Sequence, residues 1–387
     1  MAQISLTEEQ KKITDTLLDW KKGNKPYITL GGYAGTGKTT LVSHFRKELE
    51  KQHKGIAVAF CSYTGKAARV LEGKLKETGA IYPKDSVSTI HSLIYSPMVD
   101  DKDEIIGWEL REDIEADLII VDEASMVDQS IWKDLTSYMI PIIAVGDHGQ
   151  LPPIKGSFNL MQSPILKLNE IHRQARENPI IALSIEAREK GQIAAGKYSP
   201  VVQKISRQED DVRDQIEDWL AMYNDETLVL CGYNNTRIRL NSHIRGFLGF
   251  DSSLPQPGDR VICLRNSHKE RIYNGMLGTM SHLEDESADF YYAEIQMDGE
   301  EDQFKGLVSV EQFNSPQTLN YTEKRYLFNR CELFDFGYAL TVHKAQGSQS
   351  RRVILFEERF RSMSDDEWSR WLYTAVTRAE EELYIVG

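Results

Sequence analysis

The sequence predicts an α/β protein with two parallel-sheet domains and a small insertion in each. Apolar runs at residues 55–61, 117–121 and 227–231 alternate with stretches of helical periodicity, as in parallel strands that helices cover on both faces. Residues 32–39 match G-x-x-x-x-G-K-[ST] between a β-rich run and a helical one, which predicts a phosphate-binding loop. Short runs with Gly, Asn and Asp turns between about residues 256 and 334 predict a small β-barrel inserted in the second domain.

Length and composition are typical of a water-soluble enzyme with more than one domain. The chain has 387 residues, enough for two or three cores. Its formal net charge of −13 argues against a protein that coats nucleic acid with its whole surface, so any nucleic acid is expected in a local channel. We find no run of roughly 18 apolar residues and no signal peptide, so we expect a cytoplasmic protein with no membrane partner. The cysteines form no C-x-x-C pair, which predicts buried thiols rather than a zinc site or disulfides.

The phosphate-binding loop carries the first candidate site. Gly35 and Gly37 let backbone N–H groups wrap phosphate oxygens. Lys38 is positioned to reach the β and γ phosphates, and the Thr39 hydroxyl can ligate Mg²⁺ at the helix N-terminus. The motif therefore predicts a nucleoside triphosphate, but it leaves open what the hydrolysis drives.

Gln10 lies shortly before this loop and has two interpretations. With Thr7 as the N-cap, it completes a capping-box pattern at the start of a helix. Its amide also supplies both a donor and an acceptor, which suits recognition of an adenine edge. The sequence leaves both interpretations open.

Carboxylates and an amide follow the next strands. Asp122 and Glu123 end a buried apolar run, where Asp122 can hold Mg²⁺ through water and Glu123 can orient or deprotonate the attacking water. Gln150 follows the strand at residues 142–145 and is placed to sense the γ-phosphate. Arg173 comes shortly after and could stabilise charge on the transferring phosphoryl group. Downstream of a phosphate loop, this set predicts hydrolysis of a nucleotide.

Polar loops at other strand ends are candidates for contacts with a polymer. The loop after residue 61 offers an aromatic ring, a hydroxyl and two cations on the ligand side of a parallel sheet. His91 adds a ring in the next polar segment, although a lone histidine is more often structural. Residues 95–111 interrupt the α/β alternation and predict a small insertion that contains Trp108.

The second domain repeats the pattern of strands that end in polar loops. The strand at residues 227–231 leads into Asn234, and a later α/β stretch contains residues 341–348. Arg378 lies near the end of a largely apolar helix. Because a buried guanidinium is costly without an anionic partner, Arg378 is a candidate for contact with a phosphate.

The order of these segments resembles superfamily 1 helicases, most closely the RecD-like and Dda-like branch, over nearly the whole chain. The matching segments are 10 (Q motif), 32–40 (motif I), 62–68 (motif Ia), 88–93 (motif Ib), 122–125 (motif II), 146–153 (motif III), 172–174 (the arginine motif), 341–348 (motif V) and 373–379 (motif VI). Several of these motifs are weak alone, whereas the ordered set is specific. Tyr63 stands where motif Ia commonly has a proline.

The resemblance implies a fold and a set of site residues. Two RecA-like domains, at residues 1–175 and 176–387, would hold ATP and Mg²⁺ between them, with 95–111 as a strand-separating pin and 256–334 as an SH3-like barrel. The nucleotide would contact Gln10, Gly35, Thr36, Gly37, Lys38, Thr39, Thr40 and Gly347, with Thr39 and Asp122 on the metal and Lys38, Glu123, Gln150, Arg173 and Arg378 in catalysis. Single-stranded DNA would contact Tyr63, Thr64, Lys66, His91, Trp108, Asn234, Thr341, His343 and Lys344.

The implied activity is that of an ATP-dependent DNA helicase that moves 5′ to 3′ along single-stranded DNA and unwinds duplexes in replication, repair or recombination. Its expected partners are single-stranded and forked DNA and a single-strand-binding, replication or recombination protein, and we expect a monomer on DNA. An ATPase that acts on RNA, or that remodels protein–DNA complexes without processive unwinding, is the alternative left open. A nucleotide-gated clamp would not need Glu123, Gln150 and both arginines, and a small-molecule kinase or partition ATPase would lack the second sheet.

Overall fold

The computed structural model describes residues 6–23, 25–99, 105–153, 158–171, 177–267, 269–300, 302–319 and 330–387. It divides into a first unit, Met1–Ser96 with Glu109–Arg188, and a second unit, Pro97–Trp108 with Glu189–Gly387. The predicted boundary between residues 175 and 176 lies outside the described residues. Within the described ranges, no helix has the length and apolar character needed to cross a membrane.

A parallel sheet organises the first unit. The strands up to residue 190 are β1 (Tyr27–Gly32), β2 (Val58–Ser62), β3 (Ser86–Thr89), β4 (Tyr95–Val99), β5 (Ile105–Leu110), β6 (Leu118–Asp122), β7 (Ile142–Gly146) and β8 (Leu166–Leu168). The helices are α1 (Glu8–Lys21), α2 (Lys38–Gln52), α3 (Gly65–Thr78), α4 (Ile90–Ile94), α5 (Gln129–Ser137) and α6 (Pro179–Lys190). Six strands form one sheet in the order β3-β2-β6-β7-β1-β8, and all their pairings are parallel.

Burial on both faces explains why these runs form parallel strands. Every residue of β2 and β7 is buried, as expected of strands that helices cover on both sides. One face packs in a core that includes Leu17, Leu30, Leu41, Phe45 and Phe60, and the other in a core that includes Cys61, Ile119, Ile131, Leu135 and Ile142. The predicted α/β fold with a parallel sheet is confirmed.

A buried ion pair fastens α2 to the sheet. Arg46 donates from Nε and Nη2 to the two carboxylate oxygens of Asp85, each at 2.9 Å, and both side chains are fully buried. Asp85 also accepts hydrogen bonds from the backbone N–H groups of Val58 and Tyr82. The helix that follows the phosphate loop is therefore tied to the starts of β2 and β3.

The predicted insertion at residues 95–111 contains a two-stranded sheet of β4 and β5. Its base is closed by a backbone hydrogen bond of 2.9 Å from Arg111 N to Ile94 O. The hydroxyl of Tyr138, just after α5, lies 2.9 Å from the carbonyl oxygens of both Ile94 and Arg111. The end of α5 therefore holds the two chains of the insertion together where they leave the first unit.

A second parallel sheet organises the second unit. The strands after residue 190 are β9 (Gly196–Ser199), β10 (Val202–Ile205), β11 (Thr227–Cys231), β12 (Arg260–Cys263), β13 (Leu277–Asp285), β14 (Phe290–Met297), β15 (Gln303–Ser309), β16 (Phe334–Phe336), β17 (Ala339–Thr341), β18 (Ser350–Phe356) and β19 (Ala379–Val386). The helices are α7 (Val212–Ala221), α8 (Asn234–Phe247) and α9 (Asp365–Val376). Six of these strands form the parallel sheet, in the order β17-β11-β18-β19-β10-β9. Its pairings are parallel except that of β9 with β10. The sequence did not predict β9, because that strand is polar and mostly exposed.

An antiparallel sheet occupies the predicted second insertion. Its strand order is β15-β14-β13-β12-β16, and the pairings are antiparallel. A separate core fills it, with Val261, Met280, Ile295, Phe304 and Phe334 among its buried residues. The predicted change from α/β alternation to short β-strands is therefore observed, while the SH3-like description stays a prediction.

Candidate nucleotide and nucleic-acid sites

The phosphate-binding loop joins β1 to α2. Gly35 and Gly37 have φ angles of 76° and 77°, in the left-handed region that favours glycine. Gly37 is the N-cap of α2, and Lys38, Thr39 and Thr40 form its first turn. The loop therefore presents the start of a helix, where free backbone N–H groups and the helix dipole favour an anion.

Lys38 folds back over this loop. Its Nζ donates to the carbonyl oxygens of Gly32 at 2.7 Å and Tyr33 at 3.2 Å. The buried hydroxyl of Thr36 donates to the same Tyr33 oxygen at 2.8 Å. A phosphate would be a stronger partner for the ammonium than these neutral carbonyls are, because its negative charge adds a direct attraction to the charge-assisted hydrogen bond.

Gln10 connects the start of α1 to the phosphate loop. Its backbone N–H donates to Thr7 Oγ1 at 3.2 Å, and its Oε1 accepts from Thr7 N at 3.1 Å. The predicted capping box is therefore confirmed. In addition, Nε2 donates to Thr36 O at 3.1 Å, so the buried amide supports the loop directly. Its contact with adenine stays a prediction.

Strand order brings three strand ends to one edge of the first sheet. β7 lies between β1 and β6. Gly31 of β1 pairs with Gly146 of β7, and Val121 of β6 pairs with Ala144 of β7. Because the strands are parallel, the phosphate loop, the acidic pair after β6 and the loop after β7 all follow the same edge.

The acidic pair combines a buried carboxylate with a strained backbone. Asp122 Oδ1 accepts a hydrogen bond from Glu123 N at 3.0 Å. Burial raises the pKa of Asp122, and the hydrogen bond from Glu123 and the charge of Lys38 partly offset that rise. Glu123 has a φ of 52°, a left-handed conformation that costs a residue with a side chain about 1–2 kcal/mol. Such strain is concentrated at functional sites.

Asp147 orders the loop after β7. Its Oδ1 accepts from Gly149 N at 2.9 Å, and its Oδ2 lies 3.4 Å from Gln150 Nε2. Both Asp147 and Gln150 are buried. The structure thus gives Asp147 a supporting role for the predicted γ-phosphate sensor. The sequence signal for this role was a Gly-Asp pair directly after a buried strand, at the start of the segment that resembles motif III, but no role was predicted for Asp147 itself.

A cluster of three side chains forms around Tyr33 of the phosphate loop. The rings of Tyr33 and His148 are 4.1 Å apart between centroids, and Arg188 Cζ lies 3.7 Å from the Tyr33 centroid. Burial lowers the pKa of His148, which favours its neutral form. The sequence did not predict this cluster, whose one signal was a tyrosine at a variable position of the loop.

Of the two arginines predicted to assist catalysis, Arg173 lies outside the described residues. Arg378 is buried and donates from Nε to Thr374 O at 3.0 Å and from Nη1 to Ser348 O at 3.2 Å. Gly347, next to Ser348, has a φ of 76°. The guanidinium of Arg378 therefore joins the end of α9 to the segment 341–348.

The side chains predicted to contact DNA from the first unit differ in accessibility. Thr64 is the N-cap of α3, since its Oγ1 accepts from Ala67 N at 3.2 Å, and Lys66 is exposed in the first turn. His91 is only 7% exposed, and its ring makes a T-shaped contact with Tyr63 at 6.2 Å. Lys66 is therefore at the surface, whereas His91 and Tyr63 pack against each other.

In the second unit, the predicted DNA contacts follow two neighbouring parallel strands. Thr341 ends β17, which pairs with β11, and the exposed Asn234 begins α8 just after β11. Lys344 Nζ donates to Asn274 Oδ1 at 2.6 Å. Burial lowers the pKa of the half-buried His343. Asn234 and Thr341 therefore lie at the same edge of the second sheet.

Comparison with protein-family models shows which family the chain belongs to. A family model described as AAA domain matches residues 5–210, more than half of the chain. The chain belongs to the AAA domain family. A model described as UvrD-like helicase C-terminal domain also matches residues 336–386. The match to the AAA domain covers the phosphate loop and the acidic pair, and the second match covers Arg378.

Two relatives of this chain carry the name helicase. The ATP-dependent RecD2 DNA helicase of Deinococcus radiodurans is 28% identical over 410 residues, covering 100% of this chain and 50% of that protein. The ATP-dependent DNA helicase dda of Enterobacteria phage T4 is 31% identical over 159 residues, covering 40% of this chain and 34% of that protein. The resemblance to the RecD-like and Dda-like branch is confirmed. The chain spans half or less of the length of these relatives.

A solved structure has a similar fold. The crystal structure of Pif1 helicase from Bacteroides, in complex with ADP-AlF3 and ssDNA, superposes with a TM-score of 0.52. The two proteins are 18% identical, and the match covers 99% of this chain and 92% of that one. The mixed α/β fold with parallel sheets is therefore shared with that Bacteroides protein.

Proposed function

We propose that this chain is an ATP-dependent DNA helicase that moves 5′ to 3′ along single-stranded DNA and unwinds duplexes. The observation that carries the proposal is the edge of the first sheet, where the phosphate loop, the acidic pair and Gln150 follow neighbouring strands. The second sheet supports it with Asn234 and Thr341 at one edge. The relatives in Deinococcus radiodurans and phage T4 carry the name ATP-dependent DNA helicase.

The residues beside the phosphate loop fit a magnesium ion. The Thr39 hydroxyl and the Asp122 carboxylate are oxygen ligands of the kind that Mg²⁺ prefers. Asp122 Oδ1 accepts from Glu123 N, which leaves Oδ2 for a hydrated cation. Bound there with ATP, Mg²⁺ would neutralise charge that develops on the phosphates.

Hydrolysis would then use residues of the same edge. Lys38 would exchange the carbonyls of its own loop for oxygens of the β and γ phosphates. Glu123 would accept a proton from the attacking water, and Gln150, oriented by Asp147, would position that water. Arg378, together with Arg173, would stabilise negative charge in the transition state.

Strand separation would use the hairpin of β4 and β5, which carries Trp108 and is clamped at its base by Tyr138. The antiparallel sheet of the second unit would be the SH3-like element of the branch, and the resemblance to that branch supports the proposed 5′ to 3′ direction. The protein would act as a monomer in the cytoplasm, on single-stranded and forked DNA. Its work would lie in replication, repair or recombination, with a protein of that pathway as partner.

ATP hydrolysis measured without polymer, with single-stranded DNA and with single-stranded RNA tests the proposal. We expect stimulation by DNA, no turnover by Lys38→Ala, and a loss of at least about 10²-fold for Glu123→Gln, since the general base is removed while the site keeps its shape. Lys51→Ala and Glu77→Gln change exposed residues of α2 and α3 and should keep full activity. Full hydrolysis by Glu123→Gln would refute its role, and stimulation by RNA alone would refute DNA as the polymer.

Strand displacement tests direction and the hairpin. We expect unwinding of a duplex with a 5′ single-stranded tail and none of a duplex with only a 3′ tail. Replacing residues 95–111 with a Gly-Ser turn should keep DNA-stimulated hydrolysis and abolish unwinding. Efficient unwinding from a 3′ tail would overturn the direction, and normal unwinding after the replacement would show that the Trp108 hairpin is not the wedge.

A further inference from the structure

An exposed tyrosine stands at the edge of the second sheet. Tyr233 connects β11 to α8, and 41% of its surface is exposed. It lies beside Asn234, at the edge where β17 ends in Thr341. An exposed aromatic ring at the ligand edge of a parallel sheet is a candidate for a binding contact.

Several contacts hold this tyrosine in place. Its hydroxyl donates to Arg359 O at 3.1 Å, and its backbone N–H donates to Glu358 Oε2 at 3.0 Å. Its ring meets Phe360 edge to face, with centroids 4.6 Å apart and an interplanar angle of 90°. A Cβ at Gly232 would lie 2.6 Å from Glu358 O, so the backbone before the tyrosine also packs closely. A ligand that binds the Tyr233 ring therefore meets a side chain that is already ordered.

An anion already lies beside the N-terminus of α8, bound to the residues just before its first turn. Glu358 Oε2 accepts from the backbone N–H groups of Gly232 and Tyr233, at 2.9 and 3.0 Å, and its Oε1 accepts from Thr236 Oγ1 at 2.6 Å. An uncapped helix N-terminus attracts phosphate, but here the carboxylate of Glu358 takes that place and would repel one. The group that suits the surface over Tyr233 is therefore uncharged and flat.

We propose that Tyr233 stacks on a base of single-stranded DNA, which gives the second unit an aromatic contact beside Asn234. This inference rests on the proposed function. A T-shaped contact with Phe360 covers at most one face of the tyrosine ring, so the other face can meet a base. Base–aromatic stacking tolerates any sequence and typically changes affinity by about 5- to 150-fold per base.

Binding to two oligonucleotides of equal length tests the stack. Fluorescence anisotropy would compare an oligo-dT strand with the same strand made abasic throughout. We expect Tyr233→Ala to weaken binding of oligo-dT by about 5- to 150-fold and of the abasic strand by less than about twofold, because only the first strand has bases. Tyr233→Phe should keep most of the affinity, since the ring remains. Tyr198→Ala, at a 38% exposed tyrosine of the same unit, is the matched control and should not change either affinity.

The outcomes separate this inference from the proposed function. Equal weakening of both strands by Tyr233→Ala, or no weakening of either, would overturn the stack while the wild-type protein still binds DNA. Failure of the wild-type protein to bind either strand would overturn both. Thermal melting of each variant checks its folding. Tyr233→Leu, which keeps an apolar side chain without a π face, must reproduce the loss on oligo-dT; wild-type affinity in that variant would refute stacking.

Discussion

Replacing Asp85 with alanine is expected to destabilise the first unit by about 3–5 kcal/mol. The Asp85 carboxylate is fully buried and receives two hydrogen bonds of 2.9 Å from Arg46. It also receives hydrogen bonds from the backbone of Val58 and Tyr82. Removing the carboxylate leaves the buried guanidinium of Arg46 paired with Glu50, at 3.0 Å. The backbone N–H groups of Val58 and Tyr82 lose their acceptor. These losses produce the large expected effect.

The chain offers a matched control in a second pair with the same chemistry. Arg370 Nε lies 2.9 Å from Asp366 Oδ2, the same atoms and the same distance as in the Arg46–Asp85 pair. The side chains of this second pair are 29% and 76% exposed. Exposed pairs at i, i+4 contribute about 0.3–0.5 kcal/mol. Asp366→Ala should therefore leave stability nearly unchanged, so its contrast with Asp85→Ala measures what burial, the second hydrogen bond to Arg46 and the two backbone donors contribute together.

Urea unfolding measures the stability of both variants. Hydrogen exchange of the β2 amides shows which part of the unfolding transition belongs to the first unit. With a slope of about 2 kcal/mol/M, Asp85→Ala should lower the midpoint by roughly 1.5–2.5 M, and Asp366→Ala by less than about 0.5 M. Asp85→Asn keeps the side-chain volume and serves if the alanine variant does not fold. Equally small shifts at both sites would refute the expectation that the buried Arg46–Asp85 pair, with its backbone donors, stabilises the first unit more than the exposed pair stabilises the second.

Three further predictions concern the loop, the hairpin and the thiols. Gly37→Ala should weaken nucleotide binding by roughly 5- to 30-fold in a titration with a fluorescent nucleotide, because alanine is strained by about 1–2 kcal/mol at a φ of 77°; Gly73→Ala, which meets no atom within 4 Å in α3, should leave it unchanged. Tyr138→Phe should lower unwinding more than DNA-stimulated hydrolysis, because it removes the hydroxyl that clamps the hairpin; an equal loss of both would contradict this. Burial raises the pKa of Cys331 to about 11, so at pH 8 only about one thiol in a thousand is ionised, and alkylation should be slow until urea is added.

Local sequence patterns predicted much of the fold and part of the site. The phosphate loop, the strand that ends at Asp122 and the capping box of Gln10 are each defined by residues close together in sequence, and the structure has all three. The break in α/β alternation at residues 95–111 also predicted a small insertion, where the structure has the two-stranded sheet of β4 and β5. Patterns of this kind depend on neighbouring residues, so they can be recognised without knowing the fold.

Contacts between distant residues could not be predicted in this way. Glu358 accepts a hydrogen bond from the backbone of Gly232, 126 positions away, and the contact of His148 with Tyr33 joins two loops that the sheet order brings together. The burial of His91 is a further case, because its sequence neighbours do not show that Tyr63 packs on it. Each contact depends on strand order and register, which no short segment encodes.

The backbone at Glu123 links the packing of the first sheet to the proposed chemistry. A Cβ at Gly146 would lie 2.8 Å from Met161 Cγ and 3.0 Å from Ser125 N, so glycine lets the turn after β6 pack against β7. Glu123 begins that turn in the left-handed region, and its carbonyl accepts from Met126 N at 3.0 Å. Glycine at position 123 would relieve about 1–2 kcal/mol of strain but would supply no carboxylate. A glutamate where the backbone favours glycine is therefore best explained by a side chain that the reaction requires, which is the role of general base proposed for it.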